Sequence, residues 1–346
     1  MEHSSQTVAI RNYLGPTSSA TRKTPKLFLL LALGFLSSSV AAFDVLGIVS
    51  GILGIVSFAQ QSAPDPLPQP AMKVRLGLNG VNGGLKNAGG GLPMAKAFDY
   101  NGRQIAQNFH QTWPGLNRGS GEIFDIEFDE SPQLQVQNWE LHAQTDGICI
   151  AYISYQDSNG RDGAWLGDVG RHCGYPWYHA NVMVGEQGNG HETACMWLDE
   201  DNSIENSPGS MRINSDAFRD NYDDACNYWW FRTGGSAFYE DASSVPLRRS
   251  SNIDRFRGIL VSSPNNGHAK ELCDSENSVG PDFLSQNEQL LCIMESKTLV
   301  GPCNDYSDGY CYQEDENGIK IKSAPSKNTY SIAEYDNEYY TSVVQW

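Results

Sequence analysis

The densest set of residues that could perform chemistry lies at positions 165–181, where histidines stand near a carboxylate and a guanidinium. Histidine titrates near neutral pH, so such a set suits acid–base catalysis. The candidate catalytic residues are Asp168, His172 and His179. The same segment also fits a polar turn in which Asp168 accepts a hydrogen bond from Arg171 and Cys173 joins a disulfide. We favour this structural interpretation.

Aromatic residues cluster at positions 175–178 and 228–231. Tryptophan and tyrosine combine a flat apolar ring with a polar edge, and rings of this kind bind sugars when they are exposed beside carboxylates. The candidate binding residues are Trp177, Tyr178, Trp229 and Trp230. The alternative is that these rings fill a disulfide-linked core.

Acidic and hydroxyl side chains at positions 199–203 offer the oxygen atoms that Ca²⁺ prefers. The candidate metal ligands are Asp199 and Asp201. An EF-hand is excluded, because its sixth position needs glycine and here is Ile204. We expect no cofactor, and calcium is the one ion that the composition leaves open.

The chain has 346 residues, of which 41 are acidic and 24 basic, for a net charge of −17. This acidity argues against nucleic acid and anionic membranes as partners, because both are recognised by clustered lysine and arginine. Hydrophobic residues make up 40% of the chain and aromatic residues 11%, so a substantial core can form.

The N-terminus has the features of a secretory signal peptide. Lys23 and Lys26 precede an apolar run at 27–36, and small residues follow up to Ala42. A membrane anchor is the alternative, but a spanning helix needs about 20 apolar residues. We therefore predict cleavage after Ala42 and secretion, which leaves 40 acidic and 20 basic residues and a net charge of −20.

All the cysteines lie beyond this predicted cleavage site. They are Cys149, Cys173, Cys195, Cys226, Cys273, Cys292, Cys303 and Cys311. An even number of cysteines in a secreted chain predicts disulfides, although many pairings remain possible. No Cys-x-x-Cys pair occurs, so the spacing does not favour a zinc ribbon or a thioredoxin-type site.

The remaining pattern predicts an apolar helix at 43–60, a proline-rich linker at 61–73 and a β domain at 74–346. Glycines at 74–91 predict irregular, turn-rich structure there. Runs typical of strands follow at 123–128, 134–141, 148–155, 181–184 and 193–198. One helix is expected at 215–230 and one more strand in the tyrosine-rich tail. We therefore predict a mainly β fold, a disulfide-stabilised antiparallel β-sandwich with few short helices.

Several segments resemble secreted, cysteine-rich fungal proteins that have no assigned activity. The similar segments are 146–153 (DGICIAYI), 167–174 (GDVGRHCG) with Trp177 and Tyr178, 269–273 (AKELC), 280–283 (GPDF), 292–294 (CIM) and 297–298 (KT). The resemblance covers about residues 120–312. It implies a disulfide-stabilised β domain exported by a filamentous fungus, with effector-like roles in plant- or insect-associated species. It supplies no catalytic residues.

These features favour an extracellular binding or effector-like protein that recognises a glycan or a host surface protein. The alternative is a secreted polysaccharide-active hydrolase that uses Asp168 with His172 or His179 beside it. A second alternative is a membrane-active toxin, supported only by the apolar stretch 43–60. Contact with a membrane is expected only if that stretch is retained and exposed.

Overall fold

The computed structural model describes residues 70–78, 85, 89–108, 118–128, 135–144, 146–157, 162–185, 190–215, 226, 231–233, 253–303, 310–316, 318–323 and 340–346. The signal peptide predicted at 1–42, the apolar helix predicted at 43–60, and Trp229 and Trp230 lie outside these residues, as does most of the helix predicted at 215–230. No helix in the described ranges is long and apolar enough to cross a membrane.

The described chain consists mainly of strands. The strands are β1 (Ala71–Leu76), β2 (Met94–Phe98), β3 (Gln104–Gln107), β4 (Ile123–Ile126), β5 (Asn138–His142), β6 (Ile148–Gln156), β7 (Asp162–Leu166), β8 (Trp177–Val184), β9 (His191–Leu198), β10 (Pro208–Asn214), β11 (Phe231–Thr233), β12 (Ile259–Ser263), β13 (Asp282–Ser285), β14 (Leu290–Ile293), β15 (Thr298–Pro302), β16 (Tyr310–Asp315), β17 (Gly318–Ser323) and β18 (Ser342–Gln345). The helices are α1 (Asp168–His172), α2 (Ile253–Phe256) and α3 (Ala269–Asp274). The sequence predicts this composition of many strands and few short helices.

Two antiparallel sheets pack face to face around the first hydrophobic core. Sheet 1 has the strand order β4-β1-β6-β9-β8, with β7 also paired to β6, and sheet 2 has the order β11-β10-β5-β2-β3. Alternation along β5 positions the core, because Trp139 and Leu141 enter it while Glu140 and His142 point to the other face of sheet 2. The predicted antiparallel β-sandwich is confirmed.

Sheet 1 is covered on both faces, and β6 shows the consequence. Ile148 and Ile150 face the first core, whereas Cys149 and Ala151 face a second core on the opposite side. Every residue of β6 is therefore buried. A strand covered on both faces is apolar almost continuously rather than alternately, which is the pattern of the run at 148–155.

A third sheet covers the second core. Its strand order is β17-β16-β15-β14-β13-β12-β18, and it is mixed, because β12 pairs in parallel with both β13 and β18. A parallel pair needs a crossover connection, and α3 lies within the crossover from β12 to β13. Val261 and Phe283 face the second core, and Leu260 and Leu284 face a third core on the outer side. The tail strand predicted from the sequence is β18.

The N-terminal edge of the domain differs from the prediction. Strand β1 begins at Ala71, inside the predicted linker, and continues through Val74, where irregular structure was expected. The strand forms because Met72, Val74 and Leu76 alternate into the first core. The glycines matter only after it ends. A Cβ at Gly77 would lie 2.6 Å from Sγ of Cys195, so only glycine fits beside that disulfide.

All eight cysteines form disulfides, as their even number predicts. The pairs are Cys149–Cys195, Cys173–Cys226, Cys273–Cys292 and Cys303–Cys311. The first joins neighbouring strands β6 and β9, and the third ties α3 to β14. The pairing depends on which strands become neighbours, which is why the sequence left it open.

Candidate ligand-binding groove

The segment 165–181 folds as strand, turn, short helix and strand. Gly167 turns the chain from β7 into α1, where a Cβ would lie 2.3 Å from the carbonyl oxygen of Ala194. Gly170 lets α1 lie directly on β9, because a Cβ there would lie 2.3 Å from Cγ of Met196. Gly174 then adopts a left-handed conformation, with φ of 76°, before β8 begins.

Asp168 holds α1 against β9. Its Oδ2 accepts a hydrogen bond from the hydroxyl of Thr193 at 2.6 Å, and its Oδ1 accepts one from the backbone N–H of Ala194 at 3.3 Å. His191 places its Nε2 3.2 Å from the same Oδ1. The predicted partner Arg171 instead pairs with Glu271 of α3. The Asp168–Arg171 hydrogen bond predicted from the sequence is therefore replaced by these contacts.

His179 is a core residue, whereas His172 is exposed on α1. The backbone N–H of His268 donates a hydrogen bond to Nε2 of His179 at 3.0 Å. The imidazole ring also packs against the rings of Trp177 and Phe283, with centroids 5.6 and 5.4 Å away. Burial lowers the pKa of His179 to about 4, so its ring is neutral at neutral pH. A neutral ring that already accepts a backbone hydrogen bond serves packing.

Trp177 and Tyr178 are also buried, with 2% and 0% of their surfaces exposed. The indole N–H of Trp177 donates to Oγ of Ser275 at 3.0 Å, and the hydroxyl of Tyr178 donates to the carbonyl of Pro281 at 2.8 Å. The guanidinium of Arg171 lies over the Trp177 ring, 4.5 Å from its centroid. Neither ring offers a free face for stacking, because both pack in the core.

A groove lies beside α3, at the side of Trp177 that Arg171 covers. Its volume is about 510 Å³. The lining residues are Arg171, Trp177, His268, Lys270, Glu271, Asp274, Ser275 and Glu288. Most of them are charged, and Trp177 is the one fully buried side chain in the lining. The groove is therefore a polar surface built over an aromatic residue.

Ion pairs connect the charged residues of the groove. Glu271 pairs with Arg171, and Lys270 pairs with Asp274 one turn further along α3. Nδ1 of His268 lies 3.1 Å from Oε1 of Glu288. The other oxygen of Glu288 accepts the backbone N–H of Lys270 at 3.3 Å, which satisfies an otherwise unpaired donor at the start of α3. Each cation of the lining thus has a carboxylate partner within the lining.

The sequence pattern indicates Arg171 and Trp177 but not the residues that α3 contributes. A signal for α3 exists, because Lys270, Glu271 and Asp274 are polar at helical spacing around the buried Leu272. A helix of one and a half turns gives too short a pattern to stand out. The Arg171–Glu271 pair joins residues 100 positions apart, and no local pattern reports such a contact.

The candidate metal ligands lie in the loop between β9 and β10. Asp199 is completely buried and Asp201 is exposed. Within the described ranges, no group of three or more histidine, cysteine or carboxylate side chains is arranged to hold a metal ion.

No family model and no curated protein matches the chain. Among solved structures it is similar to crystal structures of two LOX deletion variants. One is 13% identical with a TM-score of 0.20, over 28% of this chain and 14% of that one. The other is 11% identical with a TM-score of 0.20, over 40% of this chain and 18% of that one. The chain spans less than a fifth of either structure, and likeness this slight carries no functional argument.

Proposed function

We propose that the protein is a secreted binding protein that recognises a glycan through the groove beside α3. The observation that carries this proposal is the pairing of charges in the groove lining. Hydroxyl groups of sugars donate and accept hydrogen bonds without carrying charge, so they suit a surface where donors and acceptors stand side by side. A phosphate or sulfate ligand would favour unpaired cations instead.

Secretion is supported by the four disulfides, since such bonds persist in oxidising compartments. It agrees with the signal peptide predicted at 1–42, which lies outside the described residues. A glycan displayed on a host surface would satisfy both the binding proposal and the effector-like role implied by the resemblance to fungal proteins. The fungal origin and that role stay predictions.

The hydrolase alternative that uses Asp168 with His172 or His179 draws less support from the geometry. Glycoside hydrolysis uses two carboxyl groups on either side of the scissile bond. Asp168 is not a lining residue of the groove, and His179 holds a core hydrogen bond. The membrane-active toxin rests on residues 43–60, which lie outside the described residues.

A glycan array tests the binding proposal with two matched double variants. Lys270→Ala/Asp274→Ala removes an exposed ion pair from the groove, and Lys73→Ala/Asp125→Ala removes an ion pair from the β1–β4 pair. Ion pairs of this exposure contribute little to folding. We expect the wild type to bind at least one class of glycan, the groove variant to bind it about tenfold more weakly, and the control to bind it normally. The proposal would be overturned if the wild type bound no glycan on the array, or if both double variants weakened glycan binding equally.

A further inference from the structure

The loop at 199–207 carries the chain from β9 of sheet 1 to β10 of sheet 2. Backbone hydrogen bonds hold both ends, from Asp199 N–H to the Pro208 carbonyl at 2.9 Å and from Glu200 N–H to the Gln144 carbonyl at 3.1 Å. Ile204 fills the space beneath the loop and is completely buried. The loop is therefore a fixed connection between the two sheets, and its oxygen atoms have defined positions.

Asp199 is the most unusual residue of this loop. Its side chain is completely buried, and Oδ2 accepts hydrogen bonds from the N–H of Ile204 at 2.7 Å and the hydroxyl of Ser203 at 2.9 Å. Its other oxygen, Oδ1, is buried with no hydrogen-bond partner. A carboxylate can only accept, so this oxygen needs a proton or a cation to offset its desolvation.

The carboxyl group of Asp201 lies close to that of Asp199. Burial raises the pKa of Asp199 to about 6, the hydrogen bonds from Ile204 and Ser203 oppose this, and the neighbouring charge of Asp201 raises it further. Two carboxyl groups at one place repel each other when both are ionised. A cation between them would remove that repulsion.

The atoms available to a cation at this place are carboxylate and hydroxyl oxygens. Calcium takes oxygen ligands at about 2.3–2.6 Å. Magnesium keeps several waters and zinc prefers nitrogen and sulfur ligands, so a set of protein oxygens favours calcium.

We propose that Asp199, Asp201 and Ser203 bind a single calcium ion in the loop between the two sheets. Ser203 connects the two carboxylates, because its hydroxyl donates to Oδ2 of Asp199 at 2.9 Å and its backbone N–H donates to Oδ1 of Asp201 at 2.9 Å. Hydroxyl and carbonyl oxygens complete calcium sites, so two carboxylates suffice as the charged ligands. The site is not an EF-hand, because its left-handed residues are Asn202 and Asn206, with φ of 56° and 64°, and not position 204.

Terbium luminescence and thermal unfolding of the full chain test this site. Terbium replaces calcium at oxygen sites and is excited through a nearby tryptophan, and Trp197 lies two residues before Asp199. We expect terbium emission that calcium displaces, with Kd for calcium of about 10⁻⁴–10⁻³ M. At tenfold excess over Kd, calcium should raise the unfolding midpoint by about 2–4 °C relative to EDTA.

Asp199→Asn and Asp201→Asn should abolish both signals, while Asp125→Asn, an exposed carboxylate of β4, should keep them. The side-chain amide oxygen in Asp199→Asn can still accept the hydrogen bond from the Ile204 N–H. If this variant does not fold, the Asp201→Asn variant tests the site. If calcium has no effect on the wild type and its stability instead changes with pH near 6, the carboxyl groups of Asp199 and Asp201 share a proton and bind no ion. That result, or equal loss in Asp125→Asn, would overturn the site.

Discussion

Burial decides the role of a titratable side chain in this protein, and His179 is the plainest case. In the sequence it stands near Asp168 and His172 and has the composition of an acid–base site. In the fold it is 5% exposed and accepts a hydrogen bond from the backbone of His268. Its surroundings favour the neutral imidazole, so His179 contributes to stability only while it stays unprotonated.

The pH dependence of the unfolding free energy should show that His179 stabilises the fold only in its neutral form. The pKa of His179 is about 4 in the folded protein, against 6.5 for an unperturbed histidine. Between these values the unfolded chain binds a proton that the folded chain does not, so stability rises with pH and is lost on acidification. Below pH 4 the loss from this residue is on the order of 3 kcal/mol.

Urea unfolding from pH 4 to pH 7 checks the prediction. His179→Gln retains an acceptor for the His268 N–H but does not titrate, so its stability should depend less steeply on pH than that of the wild type. His172→Gln, on the exposed side of α1, should keep the wild-type slope. Burial also raises the pKa of Asp282 to about 6, which makes stability fall as the pH rises. This contribution is the same in all three proteins, so it does not affect their comparison. Equal slopes for wild type and His179→Gln would contradict the account.

Glycine is needed after strand β1, where the backbone passes close to a disulfide. Gly77 follows β1 where the chain passes the Cys149–Cys195 disulfide, and its N–H donates to the Cys149 carbonyl at 3.0 Å. An added Cβ would lie 2.7 Å from Cβ of Cys195 and 3.3 Å from Cα of Ala180. Neither a disulfide nor backbone can move aside cheaply.

Gly77→Ala should therefore lower the free energy of unfolding by about 1–3 kcal/mol through overpacking. Gly301→Ala provides the matched control, because a Cβ at Gly301 in β15 meets no atom within 4 Å. Chemical denaturation of the two variants compares them directly. A Gly77→Ala protein as stable as Gly301→Ala would show that the chain does not pass the disulfide this closely.

The elements that the sequence predicted are those with a local signal. Strands β4, β5, β6, β8 and β9 follow alternation or apolar runs and lie in the two antiparallel sheets, whereas the predicted tail strand β18 lies in the third sheet. The place of β12 in the third sheet was not foreseen, because β12 pairs in parallel with strands that do not adjoin it in the chain, at Asp282–Ser285 and Ser342–Gln345. Parallel pairing leaves no turn motif between partners, so no local pattern records it. The groove depends on this sheet and on α3, so it was missed for the same reason.

In the part of the chain that the structure describes, three sheets enclose the hydrophobic cores, and the disulfides lie at different depths. Cys149 and Cys195 are completely buried in the second core, with 46 residues of sequence separation. Cys303 and Cys311 close a separation of only 8 residues, beside β15 and β16. The longer loop should constrain the unfolded chain more strongly.

Replacing each pair with alanine tests this ranking. The chain-entropy difference between the two loops is about 1.5 kcal/mol, and loss of buried sulfur atoms adds a cavity cost. Cys149→Ala/Cys195→Ala should thus lose more unfolding free energy in guanidinium than Cys303→Ala/Cys311→Ala. The reverse order would contradict the placement of the first disulfide in the core.

Binding of a glycan in the groove beside α3 can be tested by hydrogen exchange, which locates the bound ligand on the protein. Amide exchange of the full chain would be measured with and without the glycan selected on the array. We predict slower exchange at residues 268–275 and at Glu288, with no change across the β2–β3 hairpin that carries the exposed Tyr100. Protection confined to that hairpin or to another surface, with the groove amides unchanged, would contradict the claim.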